Sequence, residues 1–230
     1  MTYDRQELLK MLSVVPFYDG MEFHEGKNNE FFNYMGNDFF NLYYYAYGAT
    51  KLALIPLNKE KDYVIKIPYT GSYNHEYGYY DNYSNYYPER IDYWEYCAAE
   101  NKERIWDYCA CEVERYNTAL AEGFAEYFAK TELLGFINNY PIYVQERCTT
   151  FSDTNHKHNK EEKIKTLNCC KYYGINQDWL TDFRLYYGEE QLLSFIDFIS
   201  LLGWDDDLRN ENIGYIKNRP VLIDYSGFYE

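Results

Sequence analysis

Basic side chains are scarce in this chain: 22 Lys and Arg stand against 37 Asp and Glu, a formal charge of -15. Phosphate contacts need clustered cations, so that deficit argues against ordinary nucleic-acid binding, and it equally disfavours docking on an anionic membrane surface. No uninterrupted apolar run reaches the roughly 18 residues of a membrane span. The start, MTYDRQELLKMLSVVPF, has charges on both sides of a very short apolar run and no cleavage-like site, so it does not read as a signal peptide. The six cysteines include no CxxC pair, and Cys109-Ala-Cys111 and Cys169-Cys170 are poorly spaced for zinc. They read as buried free thiols in a reducing cytoplasm. The expectation is a soluble, cytoplasmic protein.

What the chain does have is aromatic surface: 30 Tyr, 14 Phe and 4 Trp bring the aromatic share to 21%, far too much for a disordered tail. Its 230 residues suit one domain, or one core split into two lobes. Residues 1–38 read as an extension with a short helix and an irregular lead-in. From Phe39 to Pro68, three strand-length segments (FFNLYYYAYG, TKLALIPL and DYVIKIP) are joined by short turns, which predicts a β-meander. Residues 69–96 are low in complexity and dominated by Tyr, Asn, Gly and Ser, an exposed insertion that could double as a partner-binding surface. That insertion permits a homodimer, and packing against the helix over 98–122 explains it equally well.

From Ala98 to Ala129 apolar residues recur at helical spacing, and Gly123 marks the end of that helix. TELLGFI and PIYVQERC follow as strands around the hairpin turn Asn138-Asn139. His156 and His158, two apart in a polar linker, could hold a metal, but a solvated loop is the preferred reading. Helices are expected over 160–173 and 189–203, and a last hairpin about Lys217-Asn218.

The most informative stretch is Asp205-Asp206-Asp207-Leu208-Arg209-Asn210-Glu211-Asn212, followed by Val221-Leu222-Ile223-Asp224-Tyr225-Ser226-Gly227. Asp207-Leu208 and Asn212 keep the spacing of H-R-D-L-x-x-x-N, and Asp224-Tyr225 ends an apolar strand where D-F would stand. Val64-Ile65-Lys66 matches the strand of V-A-I-K. In these residues the chain resembles the protein-kinase-like superfamily, and in texture the aminoglycoside and choline phosphotransferases more than the eukaryotic protein kinases. The resemblance covers roughly residues 40–230.

It implies an α+β, two-lobed kinase-like fold, with a β-rich N-lobe over 39–147 and a reduced, mainly helical C-lobe over 148–230. It also implies ATP and Mg²⁺. Lys66 would hold phosphates, paired with a helix glutamate, Glu112 or Glu114; Glu112 is favoured because Tyr116 one turn later supplies an apolar position. Asp207 would orient or deprotonate a hydroxyl, and Asn212 and Asp224 would take the metal, because Mg²⁺ prefers hard oxygen ligands. Backbone groups of Glu146 and Cys148 in the hinge 145–148 would bind adenine.

Several parts of the pattern depart from the family. There is no G-x-G-x-x-G, so phosphate cover falls to Gly48-Ala49-Thr50 and Lys51. Asp205 stands at the histidine position, Ser226 at the last glycine, and no activation segment or A-P-E follows before Glu230. Two functions follow. One is a minimal ATP- and Mg²⁺-dependent phosphotransferase acting on a small-molecule or protein hydroxyl. The other is a pseudokinase-like binding protein, of the kind phages and mobile elements use as anti-defence inhibitors, with acidity that could imitate nucleic acid.

Overall fold

The computed structural model describes residues 1–18, 21, 23, 30–47, 51–68, 79–80, 86–87, 107–154, 157–170, 178–204 and 208–225. It is an α+β protein with antiparallel sheets, and the chain divides into two compact units. The first unit comprises Met1–Ala110 with Glu132–Gln145, the second Cys111–Thr131 with Glu146–Glu230.

In the first unit, helix α1 (Arg5–Leu12) begins where Asp4 accepts from the Gln6 and Glu7 amides at 2.8 and 3.0 Å. Those bonds satisfy two of the first-turn N–H groups that every helix leaves orphaned. Helix α2 (Glu30–Phe40) is kinked at Gly36, whose φ of 69° and ψ of 178° suit a residue without Cβ. Strands β1 (Tyr43–Tyr47), β2 (Lys51–Pro56) and β3 (Tyr63–Pro68) form the expected meander. Phe39 and Phe40, read as strand, instead close α2: Phe39 packs into the core and stacks on Tyr43 at 5.3 Å. β6 (Thr131–Ile137) and β7 (Tyr140–Glu146) complete a sheet of order β1-β2-β3-β7-β6. Their two-residue turn has positive φ at both Asn138 (51°) and Asn139 (67°), as a primed hairpin turn demands. Leu52, Leu54, Ile65, Ile67 and Val144 bury one face of this sheet among Phe17, Phe23 and Phe31.

The tyrosine-rich stretch contributes two short paired strands, β4 (Tyr79–Tyr80) and β5 (Tyr86–Tyr87). The rest of 69–96, and the start of the helix expected from Ala98, lie outside the described residues.

Helix α3 (Tyr108–Ala121) is capped by Asp107, which accepts from the Ala110 amide at 2.9 Å and from the Tyr143 hydroxyl. Gly123, with φ 84°, turns the chain out of the helix as expected. Residues 122–129 are therefore not α-helical: a single 3₁₀ turn (Ala125–Tyr127) leads into a parallel bridge between Phe128 and Leu222.

The rest of the second unit contains β8 (Thr149–Thr150), α4 (Lys160–Cys169), α5 (Asp178–Tyr187), α6 (Glu189–Leu201), β9 (Ile213–Ile216) and β10 (Arg219–Leu222). Its small sheet runs β10-β9-β8. α6 buries Leu192, Phe195, Ile196 and Ile199, the i, i+3, i+4, i+7 stripe of an amphipathic helix. α5 is an addition to the helices expected from the sequence; it buries Trp179, Leu180 and Phe183. Phe195 is the hub of the core, stacked on Tyr127 at 4.3 Å and on Phe183 at 5.8 Å. Among the described residues no helix is long and apolar enough to cross a membrane.

Candidate functional site

The hairpin β9–β10 positions two of the candidate ligands. Its ladder runs from Arg219–Ile216 to Leu222–Ile213. Beyond that last pair the Ile223 amide donates to the Asn212 carbonyl at 2.9 Å. Asn212, in a 3₁₀ turn before β9, and Asp224, one residue past Ile223, therefore emerge at the same end of the hairpin. Eleven residues of chain lie between them, and antiparallel pairing brings the two ends of that segment together. Asn212 is buried, and Asp224 is half-buried. A carboxylate and a carboxamide at one end of a hairpin are hard-oxygen donors of the kind Mg²⁺ takes, so their chemistry suits that metal. Among the described residues no group of three or more His, Cys, Asp and Glu side chains is arranged to hold a metal ion.

The turn carrying Asp224 is held from behind by its neighbour. The Tyr225 hydroxyl donates to the Ala129 carbonyl at 2.7 Å and lies 3.0 Å from Thr131 Oγ1, which in turn donates to Glu112 Oε2 at 3.2 Å. The Tyr225 carbonyl accepts from Arg115 Nη1 at 2.6 Å, and the Arg115 guanidinium sits 5.1 Å from the centre of the Trp204 ring. Phe128 meets the Tyr225 ring edge-on at 5.0 Å. Burial drives the Tyr225 phenol well above its ordinary pKa, and the charge of Glu112 pushes the same way. Glu112 is completely buried whereas Glu114 is exposed, so of the two helix glutamates only Glu112 faces the interior.

Lys66 and Lys51 belong to the large sheet of the first unit. Lys66 pairs with Ala53 across β2–β3, and Lys51 lies two residues from Ala53. With a side-chain period of two, both ammonium-bearing residues share the face opposite Leu52, Leu54, Ile65 and Ile67. Both are buried, at 5% and 7% exposure, unusual for lysine and costly without anionic or polar company.

In the expected hinge, the Glu146 amide donates to the Lys130 carbonyl at 2.9 Å, and the Glu146 carboxylate accepts from the Lys130 amide at 3.0 Å. The Cys148 thiol approaches the Glu146 carbonyl at 3.5 Å. Asp207, with Asp205 and Asp206, lies outside the described residues.

Three features of the fold carry no motif in the sequence. Gly214 on β9 is required by close approach: a Cβ there would lie 2.6 Å from Cys148 Cβ and 2.8 Å from Ile223 Cγ2. Thr131 and Arg115 hold Tyr225. His158, expected to be solvated, instead meets Asp182 at 2.9 Å, and Asp182 also accepts from the Tyr215 hydroxyl at 2.5 Å; His156 is outside the described residues. Nothing in the sequence pattern marks that cluster, because burial of Asp182 is decided by the fold. The chain matches no protein-family model, no curated protein and no solved structure, so what these residues do rests on their chemistry.

Proposed function

We propose that the protein is an ATP- and Mg²⁺-dependent phosphotransferase built on a two-lobed kinase-like fold. The observation that carries this reading is the hairpin that delivers Asn212 and Asp224 to one place, with the following residue, Tyr225, anchored through Thr131 to the buried Glu112. Two further features support it: a buried lysine on the third strand of the large sheet, and a single buried glutamate on the helix that follows.

In this reading Lys66, with Lys51, holds phosphate oxygens, and Asn212 and Asp224 hold the metal. Bound Mg²⁺ neutralises charge on the transferring phosphoryl group. Asp207 accepts the proton of the acceptor hydroxyl as its oxygen bonds to the γ-phosphorus, and ADP leaves. The chain's own contribution is positioning and charge compensation, which dominate phosphoryl transfer.

A thermal-shift titration with ATP and Mg²⁺ tests the reading. Ligand at 100 times its dissociation constant should stabilise the wild type by about 2.7 kcal/mol. Lys66→Ala and Asp224→Asn, each compared with its own unliganded melting point, should lose most of that gain. No shift in the wild type would exclude the enzyme and leave a binding protein on a kinase-like scaffold. Transfer of γ-phosphate that survives Asp224→Ala would show that Asp224 is not the metal ligand.

A further inference from the structure

Cys169 and Cys170 are adjacent in sequence at the end of α4, and their sulfurs lie 3.6 Å apart. Adjacent cysteines on a regular helix point in different directions. Here they converge because Cys170 has left the helix, with φ -109° and ψ 74°. Cys170 is buried, and Cys169 is half-buried. Both address one carbonyl: Thr166 O accepts from the Cys170 amide at 2.9 Å and from the Cys169 thiol at 3.1 Å. The same threonine's hydroxyl donates to the Glu162 carbonyl at 3.0 Å and accepts from Arg184 Nε at 2.9 Å, which ties α4 to α5.

We propose that Cys169 and Cys170 form a reversible vicinal disulfide, with a low-molecular-weight disulfide such as oxidised glutathione as the co-reactant. Cys169 is the more accessible sulfur and makes the first attack. Its thiolate bonds to one sulfur of the glutathione disulfide, that S–S bond breaks, and one glutathione thiolate leaves. Cys170 then gives its proton to solvent and attacks the Cys169 sulfur, releasing the second glutathione. The balance is two protein thiols oxidised and one glutathione disulfide reduced to two thiols. Burial pushes the Cys170 thiol up to about 12, so this second step is the slow one.

The ring is intrinsically strained. Adjacent Cα atoms are about 3.8 Å apart across a trans peptide, below the roughly 4.4–6.8 Å usual for disulfides. Strained disulfides are the readily reduced ones, so the bond should reopen under excess reduced glutathione. Closure removes the Cys169 S–H donor from Thr166 O and loosens the last turn of α4.

The full chain, fully reduced, would be equilibrated anaerobically in glutathione buffers of rising disulfide share, and remaining thiols blocked with N-ethylmaleimide. Trypsin cleavage after Lys165 and Lys171 releases TLNCCK, which carries both cysteines of the pair and no others. The expected result is loss of both labels together with two hydrogens, reversed by excess reduced glutathione. Cys170→Ser should stop at a glutathione adduct on Cys169. The proposal is overturned if wild-type peptide keeps both labels in oxidised glutathione alone. It is equally overturned if the wild type accumulates the same adduct as Cys170→Ser.

Discussion

Replacing Tyr225 by Phe isolates the lock behind the Asp224 turn. The ring and its edge-on contact with Phe128 at 5.0 Å stay, so no cavity opens. What goes is one hydroxyl, which donates to Ala129 O at 2.7 Å and meets Thr131 Oγ1 at 3.0 Å in a site closed to water. Depriving a buried carbonyl of its donor costs about 1–3 kcal/mol. With a urea slope of about 2–3 kcal/mol/M, the unfolding midpoint should fall by roughly 0.3–1.5 M. A cycle with Thr131→Val should show coupling of about 0.5–1 kcal/mol, because the Thr131 hydroxyl lies 3.0 Å from Tyr225 and 3.2 Å from Glu112 in one polar network.

The pH dependence supplies an independent arm. Tyr225 has a folded pKa raised above its unfolded value of about 10, so its protonated form contributes stability below that pH. That contribution is lost as pH climbs from 10 towards the folded pKa, and Tyr225→Phe removes this loss. The variant's deficit should therefore shrink above about pH 10. An unchanged urea midpoint, or zero coupling to Thr131, would refute the lock.

The other predictions concern the hairpin and the tyrosines. Gly214→Ala should destabilise by about 1–3 kcal/mol in chemical unfolding, since the new methyl meets Cys148 and Ile223 well inside contact distance; a neutral result would mean these two segments do not pack as described. Lys217 holds φ at 60° in the β9–β10 turn, so Lys217→Gly should gain about 0.5 kcal/mol and Lys217→Val lose about 1–2 kcal/mol. Tyr3 and Tyr127 are pushed up to about 12, each mainly by burial, then by Glu132 and Glu126 respectively. Tyr43, Tyr187 and Tyr215 are raised further, again mainly by burial. All are protonated in the fold where the unfolded chain has begun to ionise, so urea midpoints should drop steeply from about pH 10 upward. Tyrosinate absorbance that rose without any loss of stability would contradict their burial.

Elements set by local rules are legible in the sequence alone. The meander β1–β3 follows from aromatic and aliphatic runs, the Asn138-Asn139 hairpin from two residues that tolerate positive φ, and the end of α3 from Gly123. Where tertiary packing overrides local pattern, the sequence misleads. Phe39 and Phe40 look like strand residues, but burying Phe39 in the first core draws them into α2. Helix α5 hides from the apolar pattern because its buried Asp182 interrupts the stripe, which the fold permits since His158 and Tyr215 satisfy that carboxylate.

The scarcity of basic residues by itself weighs against nucleic acid, and phosphoryl chemistry is what the resemblance to the kinase-like pattern implies for Asp207, Asn212 and Asp224. Linear spacing carries no information about which carboxylate turns inward. Folding makes that choice: helical periodicity buries Glu112 and exposes Glu114, and the β9–β10 ladder brings Asn212 and Asp224, twelve positions apart, to one end of the hairpin. The convergence of two neighbouring thiols likewise depends on Cys170 leaving the helix, a backbone event decided by how α4 ends.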